Sequence, residues 1–169
     1  VEREKQAKIK KLNMVIGAFF SEVGTELLKM CSSFDPDAEA IARQLAAAKD
    51  WTGRDFAAVK KRLSNHGGEL NVKRGNIDEV KALLVGKRQF LLNLLENPNL
   101  LEHDTFTNLL WAVFHLTEEL SHRKGFGNLP ESDLKHLAGD VNRAYGQLIL
   151  QWLDYMKHLN MIVFDRIGV

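Results

Sequence analysis

Residues 130–159, PESDLKHLAGDVNRAYGQLILQWLDYMKHL, decide the fold. Leu134, Leu137, Val141, Tyr145, Leu148, Trp152, Met156 and Leu159 recur three or four positions apart. That spacing lays apolar side chains along one face of an α-helix. Pro130 stands at its start, where a missing N–H has no helical partner to lose. A stripe running roughly eight turns needs other helices to cover it, which predicts a bundle.

Working outward, the same periodicity predicts a helix over about 105–122, carrying Phe106, Leu109, Leu110, Val113, Leu116 and Leu120. Another runs from the cap Asn76 through Ile77, Val80, Leu84, Leu91, Leu94 and Leu95 to Pro98. Two shorter helices are expected after Asp35-Pro36, with Ile41, Ala42 and Leu45, and after Thr52, with Phe56, Val59 and Leu63. Asp35 and Thr52 are capping residues, Asp55 completes a capping box, and Gly67-Gly68 are the expected stop. The first helix spans about Glu2 to Cys31, with Ile9, Leu12, Ile16, Phe19, Val23, Leu27 and Met30 on one side. Beside that stripe run Asn13, Gly17, Ser21 and Gly24, small or polar residues that suit a close backbone approach, within the bundle or across a dimer seam. Strand periodicity is absent; Ile162-Val163-Phe164 is the one short candidate. The expectation is an all-α, single-domain bundle over residues 1–169, with about six helices of which four are long. Residues 161–169 form a tail of unassigned structure, and no sheet exceeds two short strands.

Composition narrows the functions. With 23 basic and 22 acidic residues the formal net charge is +1, so no global field gathers nucleic acid. The basic clusters Arg3–Lys11, Lys60–Arg62 and Lys87-Arg88 lack interleaved aromatics, and no nucleic-acid partner is expected. A single cysteine, Cys31, follows Leu27, Leu28 and Met30 at helical spacing and reads as a small buried hydrophobe. No intrachain disulfide is possible, which fits a reducing compartment. The Gly67–Gly75 segment lacks the spacing of a phosphate-wrapping loop. No nucleophile–base arrangement is visible, so the chain reads as non-enzymatic, and no cofactor is expected.

The candidate chemistry lies in His115-Leu-Thr-Glu118-Glu119-Leu-Ser-His122. His115, Glu119 and His122 project from one side of a helix, and Glu119-x-x-His122 has the spacing of carboxylate-bridged di-iron bundles, with Asp133-x-x-His136 a looser copy. Imidazole and carboxylate together suit iron, manganese or zinc. Against a bundle-core site, these residues point away from Leu109, Val113 and Leu116, as His136 does from Leu134 and Leu137. A solvated polar face is the expected outcome, with no stoichiometric metal. Trp111 lies on that same polar side and Phe114 borders the apolar stripe. An aromatic on a polar face marks a contact, with another helix of the chain or with a partner protein. The expected interaction residues are Trp111, Phe114, Gly17 and Gly24. His103, beside Glu102 and Asp104, reads as a capping residue.

Three stretches carry a resemblance: Lys11–Leu28 (KLNMVIGAFFSEVGTELL), Leu94–His103 (LLENPNLLEH) and Trp111–Leu120 (WAVFHLTEEL). Together they resemble an uncharacterised prokaryotic family in which a cytoplasmic helical domain follows membrane-spanning segments. Residues 161–169 depart from that pattern. The resemblance implies a helical domain with no known activity and no catalytic residues to carry over. With the +3 balance over residues 1–12 and the lack of an initiator Met, it predicts a spanning segment shortly before Val1. Residues 1–8 would then extend the first helix toward the inner face of a membrane, where basic residues are retained. The functional expectation is an interaction or regulatory domain, cytoplasmic or tethered, with a metal-binding bundle using His115, Glu119 and His122 as the alternative.

Overall fold

The computed structural model describes residues 1–46, 50–64, 70–100 and 102–167, with the backbone alone at 45, 62–64 and 160–167. Among these residues there are eight α-helical segments and no strand. They are α1 (Glu2–Phe19), α2 (Thr25–Ser32), α3 (Ala38–Ala46), α4 (Gly53–Ser64), α5 (Ile77–Gly86), α6 (Arg88–Leu95), α7 (Asp104–Ser121) and α8 (Glu131–Ile167). The last of these takes in residues 162–164, so the one strand candidate is helical backbone. Leu45, Leu63 and the expected stop Gly67-Gly68 lie outside the described side chains or residues.

The bundle is built around α7, which packs most heavily on α8 and also on α5 and α6. Phe106, Leu109, Val113, Leu116 and Leu120 of α7 are fully buried against Leu137, Val141, Ala144 and Leu148 of α8. Truncating one such aromatic removes both transfer energy and packing, about 3–5 kcal/mol for a buried Phe.

Two expected single helices are interrupted. α1 and α2 are joined by a π-helical turn, Phe20–Gly24. The widened turn lets two consecutive aromatics, Phe19 and Phe20, both face inward, with ring centroids 5.3 Å apart. Phe19 then meets Phe106 edge-on at 5.5 Å. The expected helix from Asn76 breaks at Lys87, whose φ of −105° and ψ of 8° leave the helical basin directly after Gly86.

The caps follow the sequence reading. Asn76 accepts from the amides of Asp78 and Glu79, and Thr52 and Asp55 exchange bonds at 2.8 Å and 3.4 Å. His103 Nδ1 accepts from the amide of Phe106 at 3.2 Å at the start of α7. Each satisfies a backbone donor that has no partner within its helix.

Gly17 and Gly24 are taken up inside the chain. A Cβ on Gly17 would lie 2.7 Å from the hydroxyl of Tyr155, which stacks on Phe20 where α1 meets α8. A Cβ on Gly24 would meet the rings of Phe20 and Phe19 at 2.6 Å and 2.8 Å. Cys31 is fully buried, and desolvation pushes its thiol up to about 12, so it is an inert core residue.

Candidate metal centre

Two helices supply the chemistry. α7 and α8 are consecutive and joined by a short loop, so they run antiparallel as neighbours. Each carries a histidine four residues before an acid: His115 and Glu119 on α7, His136 and Asp140 on α8. Residues at this spacing share a helix face. The antiparallel register sets His115 opposite Asp140 and Glu119 opposite His136.

One ligand atom from each of the four residues lies within 4.8 Å of all the others. His115 Nε2 is 3.5 Å from Asp140 Oδ1, and His136 Nε2 is 3.4 Å from Asp140 Oδ2. His136 Nε2 is 4.0 Å from Glu119 Oε1. Ligand bonds of about 2.0–2.2 Å put the donors of a tetrahedral ion about 3.3–3.6 Å apart. The two gaps to Asp140 already have that spacing, while Glu119 would have to move inward to close the set on one ion.

Asp140 forms the floor. It is 5% exposed, and its Oδ2 accepts no hydrogen bond among the described residues, with only the imidazole of His136 at ion-pair distance. A carboxylate held in low dielectric without full hydrogen bonding is costly unless a cation compensates it. Protonated histidines could serve, and so could a metal ion bridging all four donors. Glu119 is steadied from behind: Arg123 Nη2 lies 3.9 Å from its Oε2, leaving Oε1 toward His136. Arg123 is itself placed by Asp133 at 3.5 Å and by Lys81, which donates to its backbone carbonyl at 2.5 Å. This is the outer support that orients a ligating carboxylate.

The sequence-expected set is only partly brought together. His115 and Glu119 take part. His122 does not, because it caps the end of α7 with Nδ1 2.6 Å from the carbonyl of Glu118. Asp133 pairs with Arg123 instead of completing a second Asp-x-x-His ligand pair. Asp140 was missed and His136 was set aside as outward-facing. At about 100° per residue, Glu119 and Asp140 lie on the flanks of their apolar stripes, where adjacent helices meet. The readable signal was a mirrored pair of His-x3-acid motifs across one short loop.

Trp111, one turn before His115, is 58% exposed. Phe114 is partly buried beneath the guanidinium of Arg88, 5.4 Å from its centroid, and Arg88 pairs with Glu118 at 2.7 Å.

The fold and this cluster define the class: an all-α domain with a histidine–carboxylate cluster built on two antiparallel helices. The chain belongs to the family described as "Uncharacterized protein MJ1433, C-terminal helical domain", whose model matches residues 8–162. It is 45% identical over 157 residues to "Uncharacterized protein MJ1433" of Methanocaldococcus jannaschii, covering 93% of this chain and 63% of that relative. The chain thus spans less than two thirds of the length of the relative it matches. No solved structure matches it. No helix among the described residues is long and apolar enough to cross a membrane.

Proposed function

We propose that this domain is a divalent-metal-binding helical module whose ion is held by His115, Glu119, His136 and Asp140. The observation that carries this reading is the buried Asp140, whose Oδ2 accepts no hydrogen bond while two imidazole nitrogens and a second carboxylate converge on it. Two imidazoles with two carboxylates suit zinc, cobalt(II), iron(II) or manganese(II), with affinity rising from manganese(II) through iron(II) to cobalt(II). This is the chemistry the sequence put second, with His136 and Asp140 in place of His122. Equilibrium dialysis against Zn2+ and Co2+, read by elemental analysis, tests it. One ion per chain is expected, lost in Asp140→Asn and His136→Ala and kept in His122→Ala. Wild-type protein that binds no ion, or binding indifferent to Asp140→Asn, would end the reading.

A second reading, an interaction domain, is supported by the exposed indole of Trp111. Leaving a large ring in water is unfavourable, and such rings commonly anchor protein contacts. The exposed, basic first turns of α1 extend this to a tether at an anionic membrane surface. Light scattering of wild type against Trp111→Ala checks the protein contact. A monomer in both would remove self-association, and recovery of the full-length protein in the salt-washed soluble fraction would remove the tether.

A further inference from the structure

Resting on the interaction-domain reading, we infer that the outer face of the α7–α8 pair binds a second copy of this chain, with Trp111 of each copy packed over α8 of the other between Gly139 and Gly146. The register of the two helices sets this face. His115 stands opposite Asp140 and Glu119 opposite His136, so one turn back along α7 the indole of Trp111 is level with Ala144. At about 100° per residue, Trp111 points away from the buried Leu109, Val113 and Leu116, and Gly139 and Gly146 point away from the buried Val141 and Leu148. All three are exposed. They therefore share one surface, a large ring projecting from one helix beside a bare stretch of the next.

The two glycines have no cause inside the chain. Neither stands at positive φ, and a Cβ on either would meet nothing within 4 Å, whereas Gly17 and Gly24 make room for Tyr155, Phe19 and Phe20. Glycine is a poor residue for a helix interior, so a pair on one face of α8 is explained by an element that approaches from outside. The face also complements itself. A twofold axis along the seam lays α7 of each copy over α8 of the other and keeps the levels, so each indole arrives beside Ala144 of the second copy, over the bare stretch. Such a contact is made twice, as closed twofold interfaces require. Arg143 is exposed on the same turn of α8 and makes no ion pair among the described residues. Its guanidinium meets the arriving indole as a cation on an aromatic face. The two indoles together supply roughly a quarter of a standard interface of about 1,600 Å2.

Sedimentation of the wild-type chain over a concentration series tests this, with a chelator present so that no metal bridges the exposed histidines. A monomer–dimer equilibrium is expected, weakened at least about tenfold in Trp111→Ala and in Gly139→Leu, with the helical circular dichroism of both variants unchanged. Gly146→Ala should weaken the dimer too, while dilute, monomeric protein keeps the gain in helix propensity. A wild-type chain that stays monomeric at every concentration would overturn the inference. A dimer indifferent to both Trp111→Ala and Gly139→Leu would overturn this face as its seat and leave the interaction-domain reading standing.

Discussion

Two aspartates packed at α8 are buried almost equally, Asp35 at 1% and Asp140 at 5%, yet their surroundings differ in kind. Asp35 spends its oxygens on the fold. Oδ1 accepts from the amide of Asp37 at 2.9 Å at the head of α3, and Oδ2 accepts from the hydroxyl of Tyr145 at 3.0 Å. Asp140 faces two imidazoles and a second carboxylate, with one oxygen accepting nothing. A carboxylate that a fold uses structurally is satisfied by donors that cannot leave. One ringed by two imidazoles and a second carboxylate keeps an oxygen that accepts no hydrogen bond among the described residues.

That contrast can be broken in order of expected effect. Asp140→Asn should lower Co2+ or Zn2+ affinity by at least about 100-fold, more than the loss of an outer supporting group costs, while the helical circular dichroism is kept; calorimetric titration checks it. Asp35→Ala should do the reverse, leaving metal affinity unchanged and lowering stability by about 1–3 kcal/mol. It strands the Tyr145 hydroxyl and a helix-capping amide; urea unfolding without metal checks it. Equal effects of the two substitutions on stability would erase the distinction.

Tyr145→Phe should cost about 1 kcal/mol, one net hydrogen bond, again with metal binding intact. It should also flatten the alkaline limb of the stability curve. Burial first, and then the bond to Asp35, raise the Tyr145 hydroxyl above its ordinary value, and burial alone raises the Cys31 thiol from 9.0 to about 12. For groups raised in the folded state, the stability is full below the unfolded value and falls as pH rises through the folded one. Stability should therefore decline from about pH 9 toward 12, and less steeply in Cys31→Ala. The smallest effect is expected at Gly146 of α8, where a Cβ would meet nothing within 4 Å. Gly146→Ala should add up to about 1 kcal/mol from helix propensity, a gain that the Tyr155 hydroxyl offsets in Gly17→Ala; thermal denaturation of both variants checks the pair.

Much of the fold was legible because it is local. The stripe from Leu134 to Leu159, the cap at Asn76 and the box at Thr52 and Asp55 depend on residues within a turn or two of each other. The π turn at Phe20–Gly24 and the break at Lys87 were not legible, since a widened turn and a one-residue kink leave the apolar spacing almost unchanged. The candidate site was half legible. His115 and Glu119 stood out on one helix, but their partners lie across a helix pair whose register no single-helix periodicity contains. Phase reasoning treated residues off the apolar stripe as facing water, although flanks of adjacent helices face each other. His122 shares the side of His115, but it lies about two turns further along α7, and its ring returns to the carbonyl of Glu118.

The central claim is that α7 and α8 together hold one metal ion over Asp140. Anomalous diffraction from crystals grown with Zn2+, collected on both sides of the zinc edge, tests it most directly. One peak per chain is predicted at the seam, within about 2.0–2.2 Å of His115, Glu119, His136 and Asp140. A peak on His122 or on an isolated surface histidine, with the seam empty, would contradict it.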